Sequence, residues 1–308
     1  MLKLCLWSGS CANVTCPSAM TDGAARLLRI QLDKPDLTPN ERLAFQRAYT
    51  HLTSRDPSKA WTSGQWMTER PGGSDIRNTE TFATLLPTPS STPSHDSEST
   101  LVGPYSITGF KWFSSATDSQ MTILLAKTSP TQISAFFAPT RLLPSSPASP
   151  PTLNGIQIFR LKSKLGTRPL PTAELTLTNT RAYMIGKPGQ GTKEISTVLN
   201  ITRIYTAVTA VGYWGRGLAI ARAYARVRKI TYNGNPTPLS KVPSHIRLLA
   251  SSHIKYHALM HLCFFTVSLL AQSESTSKSP SKETKETTTL LRLLTPITKI
   301  LCARYAMD

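Results

Sequence analysis

The sequence predicts an α+β protein: helices up to about residue 60, a β-barrel or sandwich over 61–184, and helices again over 185–308. Three observations carry that reading. Apolar residues recur at three and four in the outer segments. Between Trp61 and Tyr183 the period drops to two, as in Met121-Thr122-Ile123-Leu124-Leu125, Ile133-Ser134-Ala135-Phe136-Phe137 and Ala173-Glu174-Leu175-Thr176-Leu177. In that middle part, two short motifs each close a strand-like run.

A first helix is expected over Ala19–Leu32, with Asp22 as a cap and Ala24, Leu27, Leu28 and Leu32 as its buried stripe. A second follows over Pro39–Ser54 through Leu43, Phe45, Ala48 and Leu52. Within the β part, the stretches Pro87–Thr100 and Pro144–Thr152 are rich in Pro, Ser and Thr; they read as mobile surface loops, because they hold too little apolar surface to offset ordering. A long helix is expected over Gly191–Lys229 and is closed by a loop at Tyr232–Pro238. The next, Pro243 to about Ala271, carries His253, His257 and His261 at four-residue spacing. No carboxylate joins the three rings, so a core or interface stripe is expected there and no metal. Gln272–Glu286 reads as a flexible insertion and Leu290–Tyr305 as the last helix.

Composition bounds the function. The 308 residues, 40% of them apolar, suffice for two domains or one large one, which excludes a disordered chain. Five cysteines, Cys5, Cys11, Cys16, Cys263 and Cys302, form no Cys-x-x-Cys pair and have no His at zinc-finger spacing. A reducing, intracellular compartment follows, with cytoplasm, mitochondrion and peroxisome equally compatible. The net charge of +18 is uneven: from Ile195 to Ser273 there are nine Lys or Arg and no Asp or Glu. Such a field suits nucleic acid, acidic membrane surfaces or ligand phosphates, or is simply a solvated face. No uninterrupted apolar run reaches the roughly 18 residues of a membrane span, Leu262–Ala271 coming nearest, so no transmembrane segment is expected. The opening Met-Leu-Lys-Leu-Cys-Leu-Trp is too short for a secretory signal and reads as chain interior.

The first motif is Trp66-Met67-Thr68-Glu69-Arg70-Pro71-Gly72-Gly73-Ser74-Asp75 and the second Lys111-Trp112-Phe113-Ser114-Ser115. The glycines let backbone approach a ligand closely and Ser74 offers a hydroxyl at the turn. The Gly-Lys-Ser/Thr ending of a phosphate loop is missing, which argues against a nucleoside triphosphate. Two further runs follow in order, Lys164-Leu165-Gly166-Thr167-Arg168 and Gly186-x-x-Gly189-x-Gly191.

In these four ordered motifs the chain resembles the acyl-CoA dehydrogenase family, most closely the branch of AidB- and isovaleryl-CoA dehydrogenase-like proteins. The resemblance covers most of the chain. It implies an acyl-CoA dehydrogenase-like fold: a partial N-terminal helical domain (1–60), a β-barrel middle domain that binds FAD (61–184), and an incomplete C-terminal helical domain (185–308), as in a fragment truncated at both ends. It implies α,β-dehydrogenation of a fatty or branched-chain acyl-CoA thioester, with hydride passing to the flavin N5. Carried across residue by residue, Met67 and Thr68 line the flavin, Gly73 and Ser74 approach the FAD pyrophosphate, Phe113 takes the ring-stacking position, and Ser114 and Ser115 lie by the ring, Ser115 near N5. Trp112 is expected on the opposite strand face, in the core. Glu69 is read as scaffold. No catalytic base is found: the position used in the isovaleryl branch is Thr202, whose hydroxyl is no base at neutral pH, which implies an impaired enzyme. The family's homotetramer uses an Arg-x-x-Phe-Gly contact, which Arg228–Gly234 repeats in a shifted register. The alternative implied by the branch is DNA binding or protection through the basic C-terminal helices.

Overall fold

A computed structural model of the protein describes residues 1–11, 13–73, 75–87, 102–142, 150–275 and 282–307. They fall into two compact units, Met1–Ala12 with Asn200–Asp308, and Asn13–Leu199.

The second of these units holds a closed barrel. Strands β1 (Ser63–Trp66), β2 (Phe82–Leu85), β3 (Tyr105–Ser115), β4 (Met121–Ser129), β5 (Gln132–Pro139), β8 (Ile156–Leu161) and β9 (Thr172–Ile185) share one sheet. The pairings β4 to β2, β2 to β3, β3 to β9, β9 to β5 and β5 back to β4 return the ring to its start; β1 adds parallel to β4, and β8 antiparallel to β9. Closure leaves those five strands no free edge. Strands β6 (Arg141–Leu142) and β7 (Thr152–Leu153) form a separate short pair.

Two helices, α2 (Cys16–Leu32) and α3 (Pro39–Leu52), cover one outer face. Strand β4 therefore buries both of its faces, and its alternating side chains divide between two cores. Met121, Ile123 and Leu125 meet Leu27, Leu28, Phe45 and Ala48 of the helices, whereas Leu124 and Ala126 join Trp66, Ile107, Phe136 and Leu175 inside the barrel. Phe45 stands edge-on to Phe137 at 6.0 Å and to Tyr183 at 6.2 Å, which locks α3 onto the sheet.

Several sequence expectations change here. Helix α2 starts at Cys16, with Thr15 as its N-cap and Pro17 in the first turn, so Asp22 lies inside the helix and is not its N-cap. Helix α3 is opened by a capping box: the Thr38 hydroxyl accepts from Glu41 N–H at 3.3 Å, and the Glu41 carboxylate accepts from Thr38 N–H at 2.9 Å. It ends at Leu52, and Leu43 is exposed rather than part of the stripe. Of the two Pro/Ser/Thr-rich stretches, 88–100 and 143–149 lie outside the described residues, while Thr152 begins β7.

The other unit gathers α1 (Leu2–Ser8), most of α4 (Gly191–Val227), α5 (Pro243–Ser275) and α6 (Lys282–Met307) around Cys5, Ile204, Val208, Val211, Cys263, Leu269, Leu291 and Cys302. The stretch read as a loop at Tyr232–Pro238 is a hairpin, β10 (Lys229–Tyr232) with β11 (Asn235–Pro238). Its turn is Asn233-Gly234, both at positive φ (50° and 79°), as a two-residue hairpin connection demands. The polar segment Gln272–Glu286 is helical at both ends, as the end of α5 and the start of α6, with 276–281 outside the described residues. The histidine stripe is not core: His257 and His261 are exposed and His253 half-buried. Averaged over a window, α5 is long and apolar enough to cross a membrane by length and composition, a measure that core helices of soluble proteins also meet.

Thr38→Ala removes one arm of the capping box and is expected to lower stability by about 1 kcal/mol, with Thr38→Ser close to wild type. Urea unfolding of both variants tests this; an unchanged midpoint for Thr38→Ala would contradict the assigned cap.

Candidate functional site

The first two motifs meet at a bulge. Lys111 pairs with Leu175 and Ser114 with Ala173, so Trp112 and Phe113 together oppose the single residue Glu174. The extra residue frees the Trp112 N–H from β9, and it donates instead to the Thr68 carbonyl at 2.9 Å. One step further, the Trp66 indole donates to the Ser115 carbonyl at 3.2 Å. The chain beyond β1 thus lies alongside the last residues of β3, and Met67, Thr68, Phe113, Ser114 and Ser115 share one border of the barrel.

Below that border sits a buried ion pair joining the same two motifs. Lys111 is fully buried and Glu69 nearly so, with Nζ to Oε1 at 2.5 Å. Lys111 also donates to the Leu125 carbonyl at 2.8 Å. Glu69 accepts further from the Thr81 hydroxyl at 2.6 Å and from the backbone N–H groups of Glu80 (2.6 Å) and Thr81 (3.3 Å). Burial pushes the Glu69 carboxyl up, but the Lys111 charge and these hydrogen bonds outweigh it and hold the group below its ordinary range. Burial pulls the Lys111 ammonium down, against the pull of Glu69. With four donors converging on the carboxylate, the ionised pair is the form this geometry supports. Glu69 is thereby scaffold, as its place in the motif implied.

Met67 is buried and Thr68 half-buried. Glu69 and Gly72 close a tight turn by two mutual backbone hydrogen bonds, and among the described residues nothing lies within 4 Å of where a Cβ on the next residue, Gly73, would be. Ser74 lies outside the described residues. Phe113 is 43% exposed. Ser114 is buried, and its hydroxyl has no hydrogen-bond partner among the described residues. Ser115 is half-buried, its hydroxyl 2.9 Å from that of Thr172.

Trp112 departs from expectation. The bulge breaks the alternation that assigned it to the core, and its half-buried ring lies among cations: Lys162 Nζ at 3.4 Å, the Arg70 guanidinium at 4.7 Å and that of Arg160 at 5.9 Å from the ring centre. The charges are anchored by Glu174, fully buried, which accepts from Arg160 and Lys162 at 2.8 Å each. Burial raises this carboxyl too, and the two cations bring it below the usual range.

Sequence reasoning quoted Lys164 in the third motif without a role and missed Thr172. Lys164 donates to the Thr172 hydroxyl at 2.8 Å, so the third motif reaches Ser115 through one intervening hydroxyl. The signal was available in the order of the motifs, but the partner Thr172 is one threonine among many. The fourth motif lies elsewhere in this unit. Gly186 (φ 75°) passes against Glu194, which is bound by Gln31 at 2.6 Å and Lys34 at 3.3 Å. A cleft of about 320 Å3 opens there, lined by three lysines (Lys34, Lys187, Lys193) and three carboxylates (Asp36, Glu41, Glu194), a balance that favours neither sign of ligand. None of the first two motifs' residues line it.

No family model matches the chain. It is 39% identical over 309 residues to acyl-CoA dehydrogenase family member 11 of Caenorhabditis elegans, a match covering 99% of this chain and 46% of that protein. It is 29% identical over 235 residues to the putative acyl-CoA dehydrogenase AidB of Escherichia coli (strain K12), covering 76% of this chain and 39% of that one. The chain thus spans about half the length, or less, of the curated relatives it matches. The crystal structure of C. elegans ACDH-11 in complex with C11-CoA superposes with a TM-score of 0.80 at 37% identity, covering 99% of this chain and 47% of that one. An acyl-CoA dehydrogenase complexed with FAD from Bacillus anthracis shares the fold, with a TM-score of 0.64 at 17% identity over 99% of this chain and 57% of that one.

Lys111→Met strands a buried carboxylate and is expected to cost about 3–5 kcal/mol in denaturant unfolding, with Glu69→Gln/Lys111→Met recovering part of the loss. Because the folded Glu69 value is depressed, the pair's contribution is in place above the unfolded-state carboxyl value of about 4.3 and is lost as pH falls through the lower folded value. Unfolding curves at decreasing pH should therefore show a smaller acid-induced loss in the double variant than in the wild type.

Proposed function

Because the chain is a relative of acyl-CoA dehydrogenases and has their fold, we propose that it is the cofactor-holding part of an FAD-dependent, acyl-CoA dehydrogenase-like flavoprotein. The observation that carries this is the meeting of the first two motifs at the bulge, where Trp112 joins Thr68 and Trp66 joins Ser115 on either side of the exposed Phe113 in sequence.

The residues present fit such a group. Among the described residues, Gly73 leaves room for a ligand against its backbone, Phe113 offers an aromatic face for stacking, and the buried Ser114 hydroxyl has no partner. Thr68 and Ser115 offer hydroxyls along the same border, the latter held in place by Thr172 and Lys164. Bound FAD would supply the hydride acceptor for the oxidation of a CH–CH donor. The chain's part is to bind, orient and shield it. Acyl-CoA as substrate and assembly as a homo-oligomer belong to the same reading.

Proton abstraction is a different matter. Among the described residues, the buried carboxylates Glu69, Glu174 and Glu194 each carry a cationic partner, and Asp75, though exposed, is forked by Arg77, whose hydrogen bonds bring it down to about 2. Glu69, Glu174 and Asp75, held below the ordinary carboxylate range, are weak bases, since a general base works best with a value near the operating pH. Thr202, at the position matching the isovaleryl branch, is an alcohol. The reading is therefore a flavin holder in which Glu69, Glu174 and Asp75 do not supply the base.

A second reading rests on charge. Of the nine Lys and Arg between Ile195 and Ser273, all but the half-buried Arg203 are exposed, as a surface for DNA would require.

Absorption spectroscopy tests the first reading. The purified chain with added FAD should retain a flavin band after desalting, and Phe113→Ala should retain less; no band in the wild type counts against it. For the second, DNA affinity should fall steeply with salt, and absence of binding at low salt ends it.

A further inference from the structure

In the helical unit that holds α5, which carries none of the motifs of the proposed flavin site, the geometry points to a two-histidine site for a late first-row divalent cation, Zn2+ or Cu2+, formed by His253 and His257. The two residues are one turn apart on α5, and their Nε2 atoms face each other at 3.1 Å, with ring planes at 82°. Two nitrogens each bound at about 2.0–2.1 Å to one ion, at angles between square and tetrahedral, lie roughly 2.9–3.4 Å apart. The observed separation falls in that range, so a shared ion needs the two lone pairs only to turn toward a common point beside the N–N line.

Without a metal, only one proton can occupy the line between the two nitrogens. One ring donates and the other accepts, and the buried Nδ1 of His253 has no hydrogen-bond partner among the described residues to fix which tautomer does which. A cation beside that line, rather than on it, takes lone pairs from both rings at once. Access is open, because His257 is exposed and His253 half-buried. The ring of His253 is held by its surroundings: Tyr256 stacks near it at 6.5 Å and packs edge-on against Trp214 at 5.7 Å. Imidazole pairs suit Zn2+, Cu2+ and Ni2+, and exclude Mg2+ and Ca2+, which demand oxygen ligands. Among the described residues no cluster of three or more His, Cys, Asp or Glu side chains is placed to hold a metal ion, so water or an added ligand completes the coordination. This makes the site an open one, and it is independent of whether the chain binds flavin.

Calorimetric titration of the tag-free chain with ZnCl2, CuCl2 and MgCl2 tests the assignment. One equivalent of Zn2+ and of Cu2+ should bind, Cu2+ more tightly, and Mg2+ should not. His257→Asn, at an exposed position, and His253→Gln each break the chelate and should weaken Zn2+ binding by about tenfold or more, with circular dichroism confirming an unchanged helix content. His261→Ala should bind as the wild type does. Failure of the wild type to bind Zn2+ overturns the proposal, as does unchanged binding in the His253→Gln/His257→Asn double variant. An equal loss in His261→Ala overturns the two-ring assignment.

Discussion

The contact between Lys111 and Glu69 governs the architecture of the β unit. Each residue belongs to a different motif, 42 positions apart, and each would be intolerable without the other in a barrel interior. Desolvation sets a high cost on both charges, and only a complete set of donors and acceptors offsets it. That set is drawn from Thr81, Glu80 and Leu125 as well, so β2 and β4 are fixed at the same point as β1 and β3. A pair of this kind adds little net stability compared with well-packed apolar residues, but it penalises any register in which the two motifs fail to meet.

The same logic recurs on the outer surface with a different result. Glu174 is as buried as Glu69, yet its partners Arg160 and Arg70 keep more than half of their side-chain surface in solvent. The carboxylate acts as an anchor that holds cations over the Trp112 ring. Strand β8 contributes through its own irregularity between Ile158 and Arg160, which leaves Phe159 exposed beside Phe110. Two bulges flanking one strand thus bring aromatic and cationic groups to one face that uniform alternation would have kept apart.

Much of this was legible in the chain, and the limits have physical causes. The helix–barrel–helix order follows from periodicity, and the four motifs are local enough to read. Strand β4 looks like a continuous apolar run because both its faces are covered, a tertiary fact that only Leu27, Leu28 and Phe45 explain. Trp112 was misassigned because a bulge is invisible to a period of two. The helix caps failed for another reason: Asp22 is a good capping residue by type, but Pro17 in the first turn permits an earlier start. The Asn233-Gly234 hairpin was readable and was overridden by the two prolines that follow, which lie in a two-stranded ribbon where each strand has a free edge. The Thr172 hydroxyl link between Lys164 and Ser115 could not be read, since nothing local distinguishes that threonine.

The bulge also explains why the second motif needs two different small and large residues in sequence. Had β3 continued in regular register past Lys111, Phe113 would share the inward face of Lys111 and Ser114 would point out. The additional residue reverses this: Ser114 turns into the protein and Phe113 is left partly open to solvent. It also spends the Trp112 N–H on Thr68 rather than on β9. Deleting one residue from Trp112-Phe113 would therefore not simply shorten a strand. It would swap the faces of everything that follows up to Ser115, remove the donor that holds Thr68, and leave the Glu69–Lys111 pair joined to a motif facing the wrong way.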